Sequence, residues 1–393
     1  MANNQLVLVT VTGLDKPGIT YNLMKIIAQS QATILDMGQS VTHGLLSLSI
    51  LLDVEKDDHS TVLKDLLFEA KQLEMQLDFK VMGYSSVNLN DYEKDRFVLS
   101  CVSRELITPA FMRDIAEVLS KNSINILRID NMNSSDFSAV DILTRAEKPV
   151  QFNEIKTALL TISNTHKIDV AFLKDNVFRY NKRLIVFDMD STLIQAEVID
   201  EMAKVHGVGD KVIKITERAM NGELDFNAAL KERVGLLKGM KVERLKEILD
   251  RIELTEGTDE FIKTVKALGF KVAVISGGFT YFTNAMKQKL GLDYAFANEL
   301  EIENGGLTGR VLGNIVNADG KAFLLNFIAQ QEQISLDQVV AIRDGANDLP
   351  MLGKAGLGIA FHAKEVVRKK ASSHMSHGPM TSVLYFLGIA SKK

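Results

Sequence analysis

The chain has 393 residues, 46% of them hydrophobic, and a formal net charge of −4. That length suggests two or three domains with sizeable cores, and the charge excludes the clustered basic footprint that neutralising nucleic-acid phosphates requires. No apolar run approaches the roughly 20 residues needed to span a bilayer, and the start, Met1-Ala2-Asn3-Asn4-Gln5, lacks the pattern of a signal peptide, so a cytoplasmic chain with no membrane and no nucleic-acid partner is expected.

The first predicted elements lie near 5–11, 16–30, 32–41, 45–54, 58–76 and 77–84 and read strand, helix, strand, strand, helix, strand. Ile19, Leu23, Ile26 and Ile27 are spaced as one face of a helix. The pattern returns at a constant offset of 92 residues, where Phe111, Ile115, Val118 and Leu119 repeat that face. Pro17 maps onto Pro109, Ile34-Leu35 onto Ile126-Leu127, and Ile50-Leu51 onto Ile142-Leu143. Each copy therefore suggests a βαββαβ, ferredoxin-like sandwich of about 80 residues. Cys101, the only cysteine, lies in the apolar run 97–102; it reads as an inert buried thiol, and no internal disulfide is possible. Polar connectors at 85–95 and 174–182 read as linkers. The expected domains are 1–84, 96–174 and 182–393.

From Arg183 onward strands and helices alternate, which argues for an α/β doubly wound parallel sheet with strands at 183–187, 271–275, 338–343 and 357–361. The helical stretch at about 197–255 is too long for a crossover and reads as an inserted cap. Asn304-Gly305-Gly306 is a turn signal between two apolar runs, so a hairpin is expected over 294–316.

Chemistry concentrates at the ends of these strands. Leu184 to Phe187 runs into Asp188-Met189-Asp190-Ser191-Thr192, where open α/β sheets bind ligands. Two acids this close repel unless a cation lies between them, which implies a hard divalent metal. With Mg²⁺ there, one carboxylate can attack a phosphorus and the other can carry protons. Ser276-Gly277-Gly278 follows the next strand and suits phosphate binding: a hydroxyl donor beside a backbone N–H that glycine leaves accessible. Lys321 opens an amphipathic helix, where a point charge adds to an anion site. Asp344-Gly345-Ala346-Asn347-Asp348 ends the strand Val339 to Ile342. There Asp344 completes the metal's carboxylates, Asn347 can donate to a phosphoryl oxygen, and Asp348 can pair with the lysine.

Taken together, these four segments resemble the haloacid dehalogenase-like phosphohydrolases, and over 183–375 their phosphoserine phosphatase branch. Glu197, nine residues after Asp188, and the run Ala219 to Leu237 are similar to that branch's cap. The resemblance implies a nucleophilic Asp188 that forms an aspartyl-phosphate, and an Asp190 that first donates and then accepts a proton. It implies Mg²⁺ held by Asp188, Asp344 and the backbone carbonyl of Asp190, with Ser276 and Lys321 stabilising phosphoryl charge. O-Phospho-L-serine would be bound by Glu197, Arg233, Ser276, Gly277, Lys321 and Asn347, with Met220 and Phe226 lining the pocket. An Arg fork suits the amino acid's carboxylate and a Glu its ammonium. The alternatives are a related phosphatase on another small phosphomonoester and an amino-acid-sensing protein with weakened catalysis.

One residue departs from the family pattern: Arg343 stands where a glycine usually precedes the aspartate. In an extended strand its side chain points opposite to that of Asp344 and leaves the site clear. If the backbone turns there, it crowds the loop or competes with Mg²⁺ for the carboxylates.

The N-terminal copies resemble ACT domains, modules that bind amino acids, often between two copies. Thr12 to Ile19 is similar to their ligand loop, with Gly18 opening the first helix; Ala110 takes that place in the second copy. The resemblance implies a serine effector at the Gly18 loop and a homodimer.

Overall fold

The structure, a computed structural model, describes residues 4–389 apart from 56–58, 84–94, 221–222, 346–348 and 372. Its chain divides into two compact units, one over the first 93 residues and one over residues 94–393.

In the first unit the order is β1 (Asn4–Leu14), α1 (Ile19–Ile27), β2 (Thr33–Thr42), β3 (Leu45–Glu55), α2 (His59–Gln72) and β4 (Gln76–Met82). The strands form an antiparallel sheet ordered β2-β3-β1-β4. Val7, Val9 and Val11 alternate along β1, and pack with Leu48, Ile50 and Leu52 of β3 against Ile19, Leu23 and Ile27 of α1. Leu63 and Leu66 of α2 complete this core. Each such buried aliphatic contributes about 1.5–3 kcal/mol relative to exposure. Gly18 enters α1 at φ 97°, a left-handed conformation that side chains resist.

The second unit begins with the repeat: β5 (Arg96–Ser103), α3 (Pro109–Lys121), β6 (Ile124–Asn131), β7 (Ser138–Ala146), α4 (Phe152–His166) and β8 (Asp169–Lys174). Its sheet is ordered β6-β7-β5-β8. Strand pairing refines the internal offset. Val7 lies opposite Leu52, and Phe97 opposite Thr144, so the offset is 92 in the later strand but 90 in the first. Two extra residues therefore separate the strand positions of β5 from the equivalent helix face of α3. The chain enters α3 differently too: the Thr108 hydroxyl accepts from Phe111 N–H at 3.2 Å, and Pro109 takes the first helical position.

The remainder continues with β9 (Leu184–Phe187), α5 (Val198–His206), α6 (Gly209–Met220), α7 (Phe226–Gly235), α8 (Val242–Leu249), α9 (Thr258–Ala267) and β10 (Lys271–Phe279). There follow α10 (Thr280–Leu290), β11 (Tyr294–Glu303), β12 (Gly306–Leu312), α11 (Ala318–Gln331), β13 (Val339–Arg343) and α12 (Leu349–Lys354). The chain closes with β14 (Leu357–Phe361), α13 (Glu365–Lys370), β15 (Ser373–Met375) and α14 (Val383–Phe386). Seven strands form one sheet ordered β12-β11-β10-β9-β13-β14-β15, parallel except where β12 turns back on β11. β9 is central, and all four of its residues are fully buried. Leu184 and Val186 pack on one face with Leu325 and Ile328; Ile185 and Phe187 pack on the other with Phe261 and Phe282. Such double burial is why a parallel central strand reads as a continuous apolar run.

Helices α5 to α8 form the cap. The two segments that carry the chain out and back run side by side, with Gln195 N–H donating to Glu253 O and Thr255 N–H to Leu193 O, both at 3.0 Å. The expected hairpin is β11 and β12, and its turn supports the cap, since Gly239 N–H donates to Leu307 O at 2.8 Å. Strand β10 departs from expectation. Its extended backbone continues through Ser276-Gly277-Gly278 to Phe279, with a register shift against β11 instead of an immediate turn.

The second copy is welded to this sheet. Val102, Ala139 and Ala171, on the sheet face turned away from α3 and α4, share one apolar cluster with Phe187 and Phe386. The Asp169 carboxylate accepts from the N–H groups of Ser376, His377 and Gly378 at 2.6–3.1 Å. In the stretch read as a linker, Arg179 is buried and its guanidinium donates to Asp141 at 2.6 Å, while Ser100 donates to the same carboxylate at 2.6 Å. Arg104, in the lengthened loop, pairs with Glu256 beside the cap's return segment.

Candidate active site

Strands β9, β10 and β13 are neighbours, so their carboxyl ends deliver Asp188, Ser276 and Asp344 to one place. Asp188 N–H still donates to Ile342 O at 3.0 Å, which fixes the last rung of the sheet. Asp188 is 6% exposed; one carboxylate oxygen accepts from Met189 N–H at 2.8 Å and the other from Lys321 Nζ at 2.7 Å. Lys321 reaches this point from the first turn of α11, which Asn317 caps by accepting from Gly320 N–H at 3.0 Å. Burial pulls the Lys321 pKa down, against the pull of Asp188.

Beyond Asp188 the backbone turns sharply, with Ser191 at φ 53°. A non-glycine residue there is strained, and two bonds hold it: Ser191 N–H donates to Ala196 O at 3.2 Å and its hydroxyl to Glu197 Oε1 at 2.8 Å. The turn aims Asp190 at both halves of the site. Its Oδ1 accepts from Val198 N–H at 2.9 Å, at the start of the first cap helix, and its Oδ2 from the Ser276 hydroxyl at 3.2 Å. Burial pushes the Asp190 carboxyl up to about 8, with Glu197 and Asp188 adding to it. Burial likewise raises Asp344 and Glu197.

Both glycines beside Ser276 sit in tight surroundings. A Cβ on Gly277 would come within 3.0 Å of the Phe226 ring, and one on Gly278 within 3.0 Å of Asp190 Oδ2. Phe226 of the cap thus packs against the turn at Gly277. Arg233, in the last turn of α7, donates from Nε to Ala229 O at 3.3 Å. Desolvation lowers its pKa, while Asp200, Glu197 and Asp190 attract its charge. Glu197 and Arg233 thus both act electrostatically on Asp190, with opposite sign.

Three contributors escaped the sequence reading. Buried Asn298 donates from Nδ2 to Gly277 O at 2.8 Å and accepts from Val316 N–H at 2.7 Å, pinning the Ser276 turn to the segment before α11. The signal was a lone amide directly after the apolar run from Tyr294 to Ala297 in β11. Thr192 donates to Asp344 Oδ1 at 3.3 Å, and Asn317 donates to Asn227 of the cap at 3.3 Å.

A model of haloacid dehalogenase-like hydrolases matches residues 182–356, and a model of the ACT domain matches residues 5–80. A phosphoserine phosphatase of Streptomyces coelicolor is 38% identical over 387 residues, 97% of this chain and 92% of that protein. This chain belongs to the haloacid dehalogenase-like phosphoserine phosphatase family. A phosphoserine phosphatase of Archaeoglobus fulgidus is 55% identical over 223 residues, which is 57% of this chain and 65% of that protein. The crystal structure of a probable phosphoserine phosphatase from Vibrio cholerae superposes with a TM-score of 0.60 at 37% identity, over 76% of this chain and 88% of that one. The family generally uses a divalent metal, and the ACT match implies a module for a small-molecule ligand.

Set against the expected site, Asp188, Asp190, Ser276, Lys321, Glu197 and Gly277 are linked by the contacts above, and Asp344 joins them through Thr192. Asn347, Asp348 and the side chain of Met220 lie outside the described residues. Among the described residues, no three His, Cys, Asp or Glu side chains gather as a metal cluster. The Asp190 carboxylate accepts from Val198 N–H and the Ser276 hydroxyl, which leaves its backbone carbonyl as a donor for a metal. Two carboxylates and a carbonyl are hard oxygen donors that suit a hard divalent cation. The Asp344 and Glu197 carboxyls are raised by burial first, with the neighbouring Asp188 adding to both. Arg343 corrects one expectation. It does not leave the site clear: its Nη2 comes within 3.9 Å of Asp188 Oδ2. The stem is long enough to bring its charge to the strand ends, and Gly345 has no Cβ to block it, since one would lie 2.6 Å from Nη2.

Proposed function

We propose that this chain hydrolyses O-phospho-L-serine to L-serine and phosphate, the reaction that completes serine synthesis, through an aspartyl-phosphate. The observation that carries this reading is the unequal pair of acids: Asp188 held by Lys321, and Asp190 with its carboxyl pushed up to about 8. At neutral pH Asp190 keeps its proton. Asp188 attacks phosphorus as the bond to the serine oxygen breaks, and Asp190 delivers its proton to that oxygen. The carboxylate left on Asp190 then takes a proton from the water that attacks the aspartyl-phosphate, which returns Asp188 and releases phosphate. Lys321 and the Ser276 hydroxyl stabilise the phosphoryl oxygens.

Mg²⁺ would be held by Asp188, Asp344 and the Asp190 carbonyl, where it supplies charge neutralisation for the phosphoryl group. Arg233 suits the substrate carboxylate and Glu197 its ammonium. Phe226 excludes water above Gly277. A homodimer and a serine effector at the Gly18 loop complete the reading.

The test is phosphate release from L-phosphoserine with Mg²⁺, beside glycerol phosphate and phosphothreonine and with an Asp188→Asn control. Selective release that the control loses is the expected result. Release from the other esters alone would move the chain to a phosphatase of another small phosphomonoester. Release from none would favour an amino-acid sensor with weakened catalysis, the reading to which Arg343 points.

A further inference from the structure

Arg343 ends β13 at 2% exposure, and a cation is buried this fully only among compensating charges. Its Nη2 lies 3.9 Å from Asp188 Oδ2, the same oxygen that accepts from Lys321 Nζ at 2.7 Å. Its charge also acts on Asp344 and Glu197. The guanidinium lies across the backbone of Gly345, directly after Asp344. The nucleophile's carboxylate is thus shared by two resident cations before any metal arrives.

We propose that Arg343 sets the metal affinity of this site: its guanidinium competes with the divalent cation for Asp188 and Asp344 and holds binding weak. This rests on reading those two carboxylates as the metal's ligands. A unit charge a few ångströms from a divalent ion opposes binding by on the order of tenfold even at water's dielectric constant, and by more in a buried site. The resident charge also gives the carboxylates a partner when no metal is bound.

The decisive measurement is Mg²⁺ binding to the full chain by titration calorimetry without substrate, comparing the parent with Arg343→Gly, Arg343→Met and Arg343→Lys. The Gly and Met variants should bind on the order of tenfold more tightly, while Lys stays near the parent. Thermal unfolding with and without Mg²⁺ should show a larger metal-dependent rise in midpoint for Gly and Met. If the Gly variant does not fold, Met decides, because it keeps the buried stem and removes only the charge. Equal or weaker binding in Met would overturn the proposal, and so would tighter binding in Lys. Asp344→Asn should abolish the binding seen in every variant; binding that survives it would overturn the ligand assignment and the proposal together. Tightened metal binding in a chain that does not hydrolyse phosphoserine would sink the proposed substrate and leave this inference standing.

Discussion

In the first ACT-like copy, Leu8, Thr10 and Thr12 stay partly exposed along β1, whereas in the second copy β5 is buried from Phe97 to Ser103. The pairing equivalents of those three outward positions are Val98, Ser100 and Val102. Two of them became valine, and the serine between them donates to Asp141 within a buried ion pair with Arg179. The inward positions Val7, Val9 and Val11 and their counterparts Phe97, Leu99 and Cys101 each fill a core of their own. The inward face therefore specifies the sandwich, and the outward face decides whether the sandwich is a separate unit or a brace. The loops diverge in the same sense. Gly18 gives α1 no side-chain cap, while the lengthened loop of the second copy turns its Arg104 to the cap's return segment.

Shortening the chain tests this contrast most severely. A chain beginning at residue 94 should unfold cooperatively in urea and still release phosphate from phosphoserine, but lose serine inhibition. One beginning at residue 175 should lose cooperative unfolding, because it uncovers the apolar face that meets Val102, Ala139 and Ala171. Equal stability of the two shortened chains would break the distinction between unit and brace. Next in size is Asp169→Ala, which takes the partner from the buried Gly378 N–H and from the less buried Ser376 and His377 N–H groups and should cost roughly 2 kcal/mol by urea denaturation. A loss under about 1 kcal/mol would show the weld to be ornamental.

The same weld should be sensitive to acid. His374 sits buried in β15, and burial lowers its pKa from 6.5 to about 4, with Arg368 and His377 adding to the effect. The folded form holds the imidazole neutral, so this contribution is present above pH 6.5 and is lost as pH falls towards 4. Roughly 3 kcal/mol is at stake across that window. A His374→Gln chain should show a flatter stability profile between pH 6.5 and 4; an unchanged slope would assign the acid sensitivity elsewhere.

Gly18→Ala should cost about 1 kcal/mol, since φ 97° suits only glycine, and should weaken serine inhibition. Ala110→Gly in the second copy should leave inhibition unchanged. Arg104→Ala is the smallest change expected, because both partners of that ion pair are largely exposed; under about 1 kcal/mol should appear in unfolding curves.

Much of this architecture was legible because apolar patterning is strong where strands are doubly buried. Leu184–Phe187, Val339–Arg343 and Leu357–Phe361 follow that rule, and Asn304-Gly305-Gly306 marked the β11–β12 hairpin. The carboxylates were legible because two acids, a hydroxyl turn, a lysine and a further acid occur at strand and helix ends in one order. The rest depends on tertiary partners. Nothing local announces that Asn298 will clasp Gly277 or that Arg179, in a polar connector, will be buried against Asp141. The repeat concealed its own two-residue insertion, because the helix face and the later strands keep the offset that the first strand abandons. Strand alternation correctly reports which way a side chain leaves the backbone; it does not report how far an arginine reaches, and at Arg343 reach prevailed.

The single cysteine, Cys101, is 1% exposed in β5, and burial pushes its thiol well above the ordinary range. To a maleimide, a peroxide or a disulfide reagent the folded chain therefore presents no native sulfhydryl. One cysteine introduced on the cap and another on the sheet would then be the only reactive handles, and the distance between two labels could be followed as the cap opens without first engineering anything away.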